Sequence, residues 1–352
     1  MLCFSKRKKK KKQKEINFQK KQKEINFQKN GSLLLEELIA SSGGKYNPIR
    51  MFSSNEILQA TNNFYWRNAI CGGEFVWYKG TIENRTVLIK YYREEPCRPE
   101  NFYRDIAVSS MMSSHKNVLK LLGCCLEFTR PVLVCEYPPE NGALTHVVRN
   151  LGPVSAGIKP LPWNVRLKIA KEIADAVTYL HTEFPRTIIH RDLKLENIFL
   201  DENWSAKLSS FSLSIPIPEG DLGVTDMIIG TTAHIEPRYF ITGFVTENVD
   251  VYRLGFVMLS LLTGKPETIF DNVHRGVSLP DYVEKVLEGI LFNELIDPSM
   301  LNSADEDIPD HSRMQMEAFV ELALRCVRFR PGEDVPHMID VAKELKQIIK
   351  QT

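Results

Sequence analysis

Residues 190–197 read His-Arg-Asp-Leu-Lys-Leu-Glu-Asn, and thirteen residues past that Asn stand Ser210-Phe211-Ser212. The loop by itself is short, so its neighbours decide how it is read. Lys207-Leu208-Ser209 leads into Ser210 as a short strand would. Downstream come Gly230-Thr231 and Glu236-Pro237, then Asp250-Val251-Tyr252 and Leu254-Gly255 at the head of an apolar helix. Far upstream, Val87-Leu88-Ile89-Lys90 is a β-branched, apolar run that ends on a lysine.

In this order the motifs resemble the catalytic domain of protein kinases, and so many in sequence leave little room for a chance His-Arg-Asp. The resemblance implies an α+β, bilobal kinase fold, with a small antiparallel-sheet N-lobe and a helical C-lobe. It also assigns roles. Asp192 would accept the substrate proton, Lys194 belongs to the retained loop, and Asn197 would help hold a second magnesium ion. Position 210 should be the aspartate that grips the metal bridging the phosphates. A serine hydroxyl is neutral and a much weaker ligand for a hard cation.

The nucleotide side departs further. Lys90 is the expected phosphate-positioning lysine. The nearest candidate for its helix partner is Asp105, one methylene shorter than the usual glutamate, and the spacing to His115 leaves the position open by one residue, so the ion pair is expected to be stretched or absent. Ile70, Gly72 and Phe75 fall on the three positions of the Gly-rich loop, which leaves Gly72 and Gly73 as its remnant. Glycine belongs there because backbone amides must approach the phosphates unobstructed. Trp77, Leu88 and Phe199 each enlarge a side chain around the expected adenine site and read as a plug. The alternative for Trp77 is an outward face, because a one-residue slip reverses a strand's faces. Pro237-Arg238 and Val335-Pro336 stand where kinases pair a glutamate with an arginine. Both partners have changed, so no buried charge is stranded. The activation segment, 210–238, is expected to stay mobile until a partner orders it.

The 352 residues accommodate one kinase-like domain and a short extension. Residues 1–30 carry twelve Lys or Arg and two Glu, so a net charge of +1 hides a basic tail on an acidic body. Seven cysteines, with Cys124 and Cys125 adjacent, show neither zinc spacing nor a disulfide framework and suit a reducing interior. No apolar run reaches membrane-span length. Residues 12–20 recur at 21–29 as Lys-Gln-Lys-Glu-Ile-Asn-Phe-Gln-Lys.

The expected division is a disordered or loosely helical basic tail over 1–31, broken at Asn30-Gly31-Ser32, then a helical extension over 32–64. The kinase-like domain follows over 65–349, split into lobes 65–137 and 138–349. Ser53 and Glu56 have capping-box spacing and start a helix through Ala60. Strands are expected at 76–81, 86–92, 118–122 and 132–137. Helices are expected at 101–113, 163–181, 315–326 and 335–349, with everything after Asp250 helical.

Phe52-Ser53, Ala60-Thr61-Asn62-Asn63-Phe64 and Leu121-Leu122-Gly123-Cys124-Cys125-Leu126-Glu127 are similar to the wall-associated-kinase-like branch of plant receptor-like cytoplasmic kinases. Asn30-Gly31-Ser32, Pro48-Ile49-Arg50 and Leu161-Pro162-Trp163 resemble the ZRK group of pseudokinases within it. That resemblance implies a catalytically impaired adaptor of plant innate immunity. Its implied partners are the leucine-rich-repeat region of a coiled-coil NLR receptor and effector-modified receptor-like cytoplasmic kinases. No cofactor is expected, with ATP and magnesium as the alternative for a weakly active Ser/Thr kinase or a nucleotide-binding switch. No nucleic acid is expected as a partner. The expected location is cytoplasmic, with peripheral membrane contact through Cys3 and the basic tail, and the nucleus as the alternative.

Overall fold

The computed structural model describes residues 2–42, 49–72, 75–93, 98–138, 142–149, 160–230, 235–270, 276–289, 292–300, 308–328 and 335–351. Its contacts divide the chain into two compact units, Met1–Met111 with Lys120–Tyr137, and Met112–Leu119 with Pro138–Thr352.

The first unit opens with helix α1 (Leu2–Ser42), followed by β1 (Arg50–Met51) and α2 (Ser54–Ala60). Strands β2 (Ala69–Gly72), β3 (Phe75–Ile82) and β4 (Arg85–Tyr92) precede α3 (Glu100–Met112), and β5 (Leu121–Cys125) and β6 (Val132–Glu136) complete the sheet. The strand order is β1-β5-β6-β4-β3-β2. All pairings are antiparallel except β1 on β5. That parallel pairing needs Gly123, because a Cβ there would strike the Arg50 carbonyl oxygen. The strand expected at 118–122 begins three residues later.

One sheet face packs Val76, Tyr78, Val87, Ile89, Val132 and Val134 beneath Phe52 and Ile57. Ile57 comes from α2, whose start is a complete capping box: the Ser53 hydroxyl accepts from Glu56 N, and Glu56 accepts from Ser53 N at 2.7 Å. The opposite face carries Trp77, Leu88 and Lys90, since directly paired strand residues share a face.

The tail differs from expectation. It is one helix through Gly31, and Asn30 is buried rather than a break. Asn30 Nδ2 donates to Leu126 O at 2.7 Å and Phe128 O at 2.9 Å, while Tyr103 donates to its Oδ1 at 2.9 Å. Three bonds of roughly 1 kcal/mol each outweigh the roughly 1 kcal/mol penalty of a helical glycine. Leu34 and Leu38 are buried beside it. The nine-residue repeat is two and a half helical turns, so its two copies face opposite ways. Lys23 and Asn26 of the second copy reach Glu127, by a 3.7 Å ion pair to its carboxylate and a 3.1 Å bond to its carbonyl. Lys14 and Asn17, their counterparts in the first copy, are exposed.

The second unit is mostly helical: α4 (Leu144–Val148), α5 (Trp163–Thr182), α6 (Pro237–Thr242), α7 (Asn248–Thr263), α8 (Leu279–Glu288), α9 (Asp310–Val327) and α10 (Met338–Lys350). Helix α7 is buried on nearly every side, which makes it the core of the unit, with α5, α8 and α9 packed around it. Short paired strands interrupt the helices: β8 (Ile198–Leu200) with β9 (Ala206–Leu208), β7 (Ile188–Ile189) with β10 (Ile215–Pro216), and β11 (Val224–Thr225) with β12 (Phe244–Val245). A further hairpin, β13 (Thr268–Phe270) with β14 (Gly276–Ser278), corrects the expectation that only helices follow Asp250. Among the described residues no helix is long and apolar enough to cross a membrane.

Candidate functional site

Lys90 stands on β4, with its side chain 0% exposed. Its Nζ lies 2.7 Å from Asp105 Oδ2 on α3, so the pair expected to be stretched or absent is formed. Tyr92 explains how a shorter acid suffices: its hydroxyl donates to the same Oδ2 at 2.5 Å and holds the carboxylate toward β4. Aromatic rings enclose the ammonium. Phe75 lies 3.8 Å away by ring centroid, Tyr92 5.1 Å and Trp77 5.5 Å, all within cation–π range. Phe75 holds the third expected glycine position, so the side chain that replaces a glycine covers the lysine.

Trp77 and Leu88 are 1% and 0% exposed. The outward reading of Trp77 is therefore excluded. Gly72 ends β2 opposite Val76, and Gly73 lies outside the described residues. Phe199 is a matter for the second unit alone, where it is buried on β8 and bridges Ala143.

In the second unit the loop 190–197 is held from below by α7. Asp250 accepts from His190 N at 2.7 Å and Arg191 N at 2.8 Å, and its Oδ2 lies 2.9 Å from His181 Nε2. Burial raises the Asp250 carboxyl, but the bond and charge of His181 outweigh it and leave it below its ordinary range. Both oxygens of Asp192 are engaged. Oδ2 takes Asn197 Nδ2 at 2.8 Å and Lys194 Nζ at 3.0 Å, and Oδ1 faces Arg253 Nη1 at 3.7 Å. Burial pushes this carboxyl up, yet Lys194 and Arg253 together hold it below its usual value. Lowering a general base's proton affinity weakens it as a base.

Arg253 is the unexpected member. It is fully buried on α7, and none of its three nitrogens makes a hydrogen bond. A Cβ on Gly230, which has φ +124°, would strike its Nη2. Glycine is thus the residue that fits above this guanidinium.

Ser210 is buried at φ +68°, and Arg191 has φ +67°. Left-handed backbone on non-glycine residues costs on the order of 1–3 kcal/mol and gathers at functional sites. Phe211 packs edge-on against His190 at 5.1 Å, and the Ser209 hydroxyl bonds Asn197 O at 2.9 Å. Asn197 Oδ1 is buried without a hydrogen-bond partner and offers one neutral oxygen. Among the described residues, no group of three or more His, Cys, Asp or Glu could hold a metal ion. This donor set does not fit a magnesium ion that must bridge phosphates.

The activation segment, expected to be mobile, is tied at several points. Arg191 Nη1 donates to Asp226 Oδ2 at 2.7 Å and Nη2 to Met227 O at 2.8 Å. Tyr239 OH donates to Met227 O at 2.5 Å and accepts from Ile229 N at 2.9 Å. Glu236 caps α6 by accepting from Tyr239 N at 2.6 Å, while Arg238 is exposed. Sequence reading missed Asp226, Tyr239 and Arg253 because nothing local marks them. The aromatic alternation Phe75, Trp77, Tyr92 was a usable signal for the lysine enclosure.

Residues 76–351 match the protein kinase domain model. The chain is 51% identical over 325 residues to the non-functional pseudokinase ZED1 of Arabidopsis thaliana, covering 91% of this chain and 95% of that one. It is 74% identical over 228 residues to the serine/threonine-protein kinase ZRK7 of the same plant, covering 64% and 80%. It is 45% identical over 349 residues to the non-functional pseudokinase ZRK2 of the same plant, covering 97% and 93%. Fold and site define a protein kinase-like protein. Within that class the chain belongs to the ZRK family, whose members carry both kinase and pseudokinase names.

Proposed function

We propose that this protein is a pseudokinase that works by binding rather than by phosphoryl transfer. The observation that carries the reading is Ser210, a neutral hydroxyl where phosphoryl transfer needs a metal-gripping carboxylate. The enclosure of Lys90 supports it, since a fully buried ammonium covered by the rings of Phe75, Tyr92 and Trp77 is not presented to a phosphate. It needs neither ATP nor magnesium. It acts as an immune adaptor that links the leucine-rich-repeat region of a plant coiled-coil NLR receptor to effector-modified receptor-like cytoplasmic kinases. The protein is cytoplasmic, and Cys3 with the basic run after it gives contact with the plasma membrane.

The test is thermal melting of the full chain with ATP, with and without magnesium or manganese. A bound ligand at a hundredfold excess over its Kd adds about 2.7 kcal/mol, so binding would be plain. No metal-dependent shift is expected, and a clear magnesium-dependent shift would remove the case for a nucleotide-free scaffold. The second reading, a weak Ser/Thr kinase, is favoured by the formed Lys90–Asp105 pair and the intact Asp192, Lys194 and Asn197. It requires phosphate transfer that Asp192→Ala abolishes.

A further inference from the structure

Arg191 is 0% exposed, and its guanidinium is spent on the activation segment. One nitrogen meets the Asp226 carboxylate at 2.7 Å, the other meets Met227 O at 2.8 Å and the Tyr239 hydroxyl. The Asp226 side chain is itself only 6% exposed. From this anchor the chain runs to Ile229 N on Tyr239 OH, and Asp226 N donates to Gly243 O at 2.9 Å. Residues 224 and 225 pair with 245 and 244 just before it. These ties of residues 224–229 run to Arg191, Tyr239, Gly243 and strand β12.

A buried arginine fork that meets one anion in a kinase-type activation segment is the arrangement phosphorylation ordinarily creates. Such a segment is ordered when a phosphate is added opposite an arginine. Here the anion is part of the sequence. A second buried guanidinium, that of Arg253, lies close enough for Arg191 to lower its proton affinity. Without Asp226, two buried cations would face each other with less opposing charge, which is costly in a low-dielectric interior.

We propose that Asp226 is an encoded substitute for a phosphorylated residue: it fixes residues 226–230 on Arg191 with no modification, and its removal uncovers a site for a phosphate-class oxyanion. The segment is therefore set at synthesis rather than switched by another kinase. This holds whether or not the protein transfers phosphate, so it stands or falls separately from the adaptor reading.

Hydrogen exchange of the hydrogen-bonded amides of Asp226 and Ile229 in the full chain tests it, with and without millimolar inorganic phosphate. The wild type should be protected and indifferent to phosphate. Asp226→Ala should exchange about tenfold faster or more, the loss expected for a charge-assisted bond, and phosphate should restore most of the protection. Asp226→Asn keeps the shape without the charge, guards against a folding defect, and should lose comparable protection. Protection unchanged in Asp226→Asn would overturn the proposal, because the tie would then need no anion. Phosphate that protects the wild type as much as Asp226→Ala would also overturn it, because Arg191 would then still lack its anion. No phosphate rescue in a folded Asp226→Ala would overturn the oxyanion site.

Discussion

Arg253 shows what a single residue can do to a catalytic loop it does not belong to. It rises from α7 and sets a cation 3.7 Å from the Asp192 carboxylate, without a hydrogen bond of its own. Removing one partner of a buried ion pair leaves the other charge uncompensated and costs roughly 3–5 kcal/mol. Arg253→Met takes away the cation that faces the buried Asp192 carboxylate and is therefore expected to melt several degrees below the wild type, by calorimetry. Melting at the wild-type temperature would show that Lys194 and Asn197 suffice for that carboxylate. His190 makes a second residue-scale prediction. Burial holds its imidazole below the ordinary value of 6.5, so the folded state disfavours its charged form. A depressed histidine lends stability that is full above the unfolded pKa and drains away as pH falls through the window below 6.5. Asp192 and Asp250, also depressed, extend the loss below the ordinary carboxylate value of 3.8. Denaturant midpoints should fall from pH 7 toward pH 5, and His190→Gln should flatten that slope. An equal slope in the variant would assign the acid sensitivity elsewhere.

At the scale of elements, α1 is held by side chain-to-backbone bonds more than by an apolar stripe. Asn30 alone satisfies the carbonyls of Leu126 and Phe128 and the Tyr103 hydroxyl. Asn30→Ala should weaken the docking of α1 by about 1–3 kcal/mol, read as faster hydrogen exchange over residues 26–38 with the sheet core unchanged. Exchange equal to wild type would mean that Leu34 and Leu38 hold the helix. The same residue shows where sequence reading reached its limit. Asn-Gly-Ser is a turn signal by local propensity, and long-range contacts overrode it. The elements that were legible are those whose information is local: the capping box of α2, the apolar, β-branched run of β4, the long amphipathic period of α5. The kinase loop was legible for the same reason, as its working residues lie within one short run. The ion pair of Lys90 was not, because Asp105 meets it only after α3 docks on the sheet. Asp226 and Arg253 were invisible because each acquires meaning only from a partner many residues away.

For the whole molecule, the cysteines report on packing. Cys124, Cys125, Cys135 and Cys326 are buried and free, and burial pushes the first, second and fourth thiols up to about 12 and the third higher still. A thiol reacts as thiolate, so these four should resist alkylation until the fold opens. Mass spectrometry after brief iodoacetamide treatment should find them unmodified, whereas rapid labelling of Cys326 would place it near a route to solvent. The chain also divides its charge between a basic leading helix and an acidic remainder. The repeat in that helix gives the division a geometric meaning. Residues 2–20 lie on the same helix as Lys23 and Asn26, which reach Glu127. Each nine-residue copy lengthens the helix by about 13.5 Å and turns it by about 180°. Gain or loss of one copy therefore leaves the anchored part untouched and swings the outer basic segment to the opposite side. The number of copies therefore sets where, around the helix axis, the residues ahead of the repeat stand.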